Sequence, residues 1–187
     1  MASIVTKVKR PPVTFDQARD PDAWRKVSQR LLDSARLIWR SHLDRGLTGY
    51  ASTRAGRTPE QEAAFAADMQ HFGAFFVLAG LAVENAIKAR LLRNVLASGA
   101  VINDLIDLDN AVWIKGSRGH NLVELARRSE ARLILSEGER DLLERLARYV
   151  KWAGRYPFPN HKNDDLAFRR TTRDRDLQDI ERFIARL

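Results

Sequence analysis

The chain has no cysteine among its 187 residues. That excludes disulfides, a thiol nucleophile, an iron–sulfur cluster and a cysteine zinc site. Histidine is scarce as well: His42, His71, His120 and His161 lie far apart, and none belongs to a His-x-x-x-His pair. No metal site and no cofactor is therefore expected. The longest apolar stretch, Phe72 to Val83, is broken by Gly73 and Gly80 and leads into Glu84. No membrane span is expected from it. The N-terminal MASIVTKVKRPPV lacks the apolar core of a signal peptide, so the cytoplasm is the expected compartment. There is no phosphate-loop motif, no Gly-x-Gly-x-x-Gly and no Gly-x-Ser-x-Gly elbow. Classical nucleotide folds and serine hydrolysis are left without support.

What the chain does have is positive charge, at a formal net value of +8. The charge is unevenly placed. Residues 1–35 carry +3, 36–57 carry +4 and 148–187 carry +4, while 58–117 carry −3 and 118–147 balance. Of the 32 basic residues, 25 are arginine. The planar guanidinium fork suits phosphate, although a genome rich in arginine codons gives the same excess.

The apolar pattern is helical throughout. Residues 1–20 read as an extended lead-in, and 21–187 as one domain. Asp20-Pro21 is a helix start, with Asp20 as the cap. Trp24, Val27, Leu31, Leu32, Ala35, Ile38, Trp39 and Leu43 then recur every three or four positions, which predicts an amphipathic helix over 21–45. Residues 46–60 read as a loop. Thr58 and Gln61 form a capping box, opening a long helix over about 60–97. Its first stripe is Phe65, Met69, Phe72, Phe76, Ala79, Val83, Ala86, Ile87 and Leu91; its second is Val77, Leu81, Glu84, Lys88, Leu92 and Val95. Two stripes mark the central helix of a bundle. Residues 100–119 are ambiguous: VINDLIDL reads as one short helix, and the rest as a surface loop packed by Trp113. Asn121 and Ser136 open further helices, Gly154 ends the second of these, and a last helix covers about 173–186. The fold expected is all-α: an up-and-down helical bundle of four to five main helices with a long central second helix.

Three features carry candidate chemistry. Glu84 and Lys88 stand four apart in the order that favours a helix salt bridge. They also lie on an otherwise apolar stripe, where a buried pair would mark a site. His120 precedes the Asn121 helix start, where backbone donors would receive an anion. Residues 148–161 interleave Arg148, Tyr149, Lys151, Trp152, Arg155, Tyr156 and His161 at the point where a helix meets Pro157 and Pro159. Basic residues bind phosphate and aromatic rings stack on bases, but the same residues could fill the core and cap the helix.

Together, a long helix with Glu-x-x-x-Lys, a Gly-His-Asn-Leu helix start and Trp-x-x-Arg-Tyr-Pro resemble the HEPN domain family over about residues 65–161. The resemblance implies a small helical bundle, frequently a homodimer, from RNA-processing or toxin–antitoxin-like defence systems. It also implies a metal-independent endoribonuclease with an Arg-x(4–6)-His motif. Arg155 and His161, with five residues between them, fit that spacing. Arg155 would hold the scissile phosphate and His161 would be the general acid/base. Glu84, Lys88, His120, Lys151 and Tyr156 would contact substrate. The partners implied are RNA, a second copy and a cognate partner protein. The segment departs from the family's helical motif, because Tyr156 follows Arg155 and two prolines interrupt it. The rival expectation is a non-catalytic protein–protein interaction module.

Overall fold

The computed structural model describes residues 14–44, 58–69, 71–113, 120–153 and 175–187. Among them are eight α-helices and no strand. They are α1 (Phe15–Ala18), α2 (Pro21–Ile38), α3 (Pro59–Met69), α4 (Phe72–Ala97), α5 (Leu105–Val112), α6 (Leu122–Arg127), α7 (Glu137–Arg148) and α8 (Asp176–Ala185). The all-α bundle with a long central helix is the architecture observed.

The helix starts sit where the capping residues put them. The Asp20 side chain accepts from the Asp22 amide. Thr58 and Gln61 exchange side-chain and backbone hydrogen bonds, as do Ser136 and Glu139. Gly99, at φ +85°, ends α4 in the left-handed conformation that glycine adopts without steric cost.

Four details differ from expectation. Phe15–Ala18 form one helical turn inside the stretch expected to be extended, because Thr14 and Gln17 make a capping box. The helix expected over 60–97 is two helices, α3 and α4, parted at His71, whose ring stacks on His42 at 3.9 Å. Val27 is 40% exposed rather than core, since α2 buries only the face turned to α4. α2 and α7 each run on into a π-helical turn, Trp39–Leu43 and Tyr149–Ala153. An inserted residue of this kind leaves the apolar spacing readable as ordinary helix.

The core is built around α4. α2 lies antiparallel to it: Asp22 pairs with Arg93, Ser28 donates to the Ala82 carbonyl at 2.8 Å, and Trp39 packs on Phe75. Phe76 stacks on Tyr149 with ring centroids 4.6 Å apart. Leu177, Ile180 and Phe183 close the core from α8. A smaller apolar cluster of Leu92, Ile102, Leu108, Ala111 and Val112 lies toward the C-terminal end of α4, flanked by Trp24 and Trp113. By length and composition α4 could cross a membrane, which the broken apolar run did not suggest; 67% of its most apolar window is buried inside the bundle.

Gly80 shows how tightly α4 is packed. A Cβ there would overlap Val150 Cγ2 and sit 3.3 Å from the Leu146 carbonyl oxygen. Gly80→Ala should therefore lose stability. Overpacking costs about 1–3 kcal/mol, against the ~1 kcal/mol that alanine gains over glycine in a helix. Denaturant unfolding checks this, and adding Val150→Ala should recover part of the loss.

Candidate functional site: a buried Glu–Lys–His cluster

Most of α4 buries hydrocarbon, yet Glu84 and Lys88 lie on it with only 4% and 3% of their side chains exposed. Two charges out of water must be paired and hydrogen-bonded to persist. They are. The Lys88 ammonium donates to Glu84 Oε1 at 2.6 Å. The other carboxylate oxygen, Oε2, lies 2.9 Å from Nδ1 of His120. The imidazole is 23% exposed, so the cluster runs from the core to the surface through His120.

Two indoles complete the surroundings of Lys88. Its ammonium is 3.0 Å from the Trp113 ring centroid and 5.4 Å from that of Trp24. A π-face offers a desolvated cation the negative side of its quadrupole. The Trp24 ring and the Trp113 backbone are each tied from outside. Trp24 Nε1 donates to the Ala18 carbonyl at 2.6 Å, and Arg128 donates to the Trp113 carbonyl at 3.0 Å. The Arg128 hydrogen bond in turn holds the Glu130 carboxyl below its ordinary range. Burial pushes the Lys88 ammonium below the ordinary lysine value. The charge and hydrogen bond of Glu84, and the charge of Asp109, oppose that without cancelling it.

The structure thus joins three residues singled out in the sequence, Glu84, Lys88 and His120. Lys151 stands exposed in the π turn after α7, outside the cluster. Arg155, Tyr156 and His161 lie outside the described residues. Trp24 and Trp113 are site residues that sequence reasoning read only as packing. The available signal was a lysine on an apolar stripe, which needs more than one carboxylate to settle it. His120 caps nothing itself: Asn121 accepts the Glu124 amide, and its own side-chain amide donates to the Glu124 carboxylate. No group of three or more histidine or acidic side chains could hold a metal ion among the described residues.

In chemical terms, a buried glutamate bonded to a lysine holds an imidazole that reaches the surface. That arrangement can move a proton. No family model, characterised protein or solved structure matches the chain.

Proposed function

We propose that this protein is a HEPN-like helical domain that binds and cleaves RNA without a metal ion, in a stress or defence setting and as a homodimer. The observation that carries the reading is the Glu84–His120 contact on the Lys88 ammonium. It supplies an oriented proton-transfer group in a chain with no thiol and few other candidates. The basic ends of the sequence and the Arg155/His161 spacing add to it. The reaction is transesterification by the RNA's own 2′-hydroxyl. Arg155 holds the scissile phosphate and offsets charge in the transition state. His161 gives a proton to the leaving oxygen, the general-acid role that imidazole most often fills.

The test is cleavage of single-stranded RNA in EDTA by wild type, Arg155→Ala and His161→Ala. Wild type should cleave, and each variant should be slower by about 10²-fold or more. Equal rates in all three, or no cleavage by wild type, would sink the proposal. RNA binding that vanishes between ~50 and 200 mM salt would show generic cation attraction only.

The second reading is a non-catalytic module that docks a partner protein or its own copy. What favours it is the depth of Glu84 and Lys88, since a cluster so enclosed also fastens Trp113 and His120 onto α4. RNA untouched by wild type, with a folded protein, is its expected result.

A further inference from the structure

Between α2 and α8, above α4, lies a cavity of about 140 Å³. We propose that it binds a small organic acid: one carboxylate on a short, branched or ring-shaped apolar body. The proposal stands apart from the ribonuclease reading. Ala86, which α4 contributes to the cavity, is two residues from both Glu84 and Lys88, about half a turn around the helix.

The interior of the cavity is apolar. Leu32 reaches it from the buried face of α2, Ile184 from α8 and Ala86 from α4. Ala86 is buried yet offers only a methyl group where three helices meet, so the space is left unfilled. An apolar cavity of about 150 Å³ takes up benzene, which sets the body of the ligand at roughly four to six carbons. Hydrocarbon placed there leaves water, and that favours binding.

The mouth is charged, and one cation in it is uncommitted. Arg36 donates to Glu181 at 2.6 Å and to Asp33 at 2.7 Å, which ties α2 to α8 beside the cavity. Asp33 also accepts the Gln29 amide at 2.8 Å. Arg25 lines the same cavity, is exposed, and has no hydrogen bond, ion pair or ring contact among the described residues. The lining thus sets Arg25 and Arg36 against Glu181, a balance of +1. A carboxylate matches the guanidinium fork with two parallel hydrogen bonds. An amine would meet Arg25 as a like charge and find Glu181 already paired, so the mouth selects acids.

Ser28 sets the orientation. It is 1% exposed and gives its hydroxyl proton to the Ala82 carbonyl at 2.8 Å. It has no donor left for an anion, so the carboxylate stays at the mouth on Arg25 and the apolar body points inward.

Amide NMR of the full chain, titrated with isovalerate, tests this. Isovaleramide has the same body without the charge, and acetate has the charge without the body. Isovalerate should shift the amides of Ser28, Ala86 and Ile184 to saturation. Both controls should bind at least ~10-fold more weakly, one for want of a charged hydrogen bond and the other for want of buried carbons. Arg25→Gln should weaken isovalerate about 10-fold and leave isovaleramide unchanged. Ala86→Leu, which fills the cavity, should abolish binding. Shifts that stay linear up to ~20 mM, where a ~1 mM site is already saturated, overturn the proposal. So does isovaleramide binding as tightly as isovalerate, or Arg25→Gln binding isovalerate as wild type does. If overpacking unfolds Ala86→Leu, the Arg25→Gln arm decides alone, because that exposed side chain holds nothing in place among the described residues.

Discussion

Lys88→Met should cost about 3–5 kcal/mol of folding stability, because it leaves the Glu84 carboxylate buried without its cation. At roughly 2–4 °C per kcal/mol for a chain of this size, the melting temperature should fall by about 6–20 °C. Adding Glu84→Leu to Lys88→Met should recover most of the loss, and could leave the double variant as stable as wild type. The reason is the balance already visible at Lys88. Burial lowers its proton affinity more than Glu84 and Asp109 raise it, so desolvation outweighs attraction. A pair with that balance is expendable as a pair, but neither member is expendable alone. Unfolding in urea of the two single variants and the double closes the cycle. Additive losses would show that Glu84 and Lys88 do not depend on one another.

The same balance gives a pH dependence whose sign is fixed. The folded lysine loses its proton below the ordinary value of 10.5, while the unfolded one keeps it up to that value. In the window between, the unfolded chain binds more protons, so stability rises with pH. Below the window the contribution is flat. Wild type should therefore gain stability relative to Lys88→Met as the solution is taken from neutral toward 10.5. A difference that shrinks over that range would mean that burial does not dominate at Lys88.

How much of this was legible in the sequence depends on range. Helix starts are local: an oxygen at Asp20, Thr58 or Ser136 reaches an amide two or three residues on, and composition reveals it. The Glu84–Lys88 pair was legible for the same reason, four residues apart on one stripe. Its contact with His120 spans 36 residues, and no spacing rule covers that distance. The cover of Trp113 and Trp24 over Lys88 was hidden because an indole on an amphipathic pattern looks like core whatever it faces. The break before α4 was hidden by continuity: Phe65, Met69, Phe72 and Phe76 keep helical spacing straight through it. What parts the helices there is accompanied by a tertiary contact, the His71–His42 stack, which no local pattern announces.

Asp176→Asn should be the second most damaging change, again at about 3–5 kcal/mol. Asp176 is fully buried at the first residue of α8, and Arg145 of α7 is 6% exposed. The guanidinium meets both carboxylate oxygens, through Nη1 to Oδ2 at 2.9 Å and Nη2 to Oδ1 at 2.8 Å. A lysine has one ammonium and cannot make both contacts, so Arg145→Lys should also destabilise. The consequence is not confined to global stability. The pair is the polar tie between α7 and the start of α8, and in sequence the 154–174 connection, with Arg155 and His161, runs between those two helices. Apolar contacts of Leu177, Ile180 and Phe183 hold the rest of α8. Asp176→Asn should therefore raise amide exchange first in the opening turn of α8, with α4 protected until global unfolding. Exchange that rises uniformly over α4, α7 and α8 would show instead that the pair acts on the whole core at once.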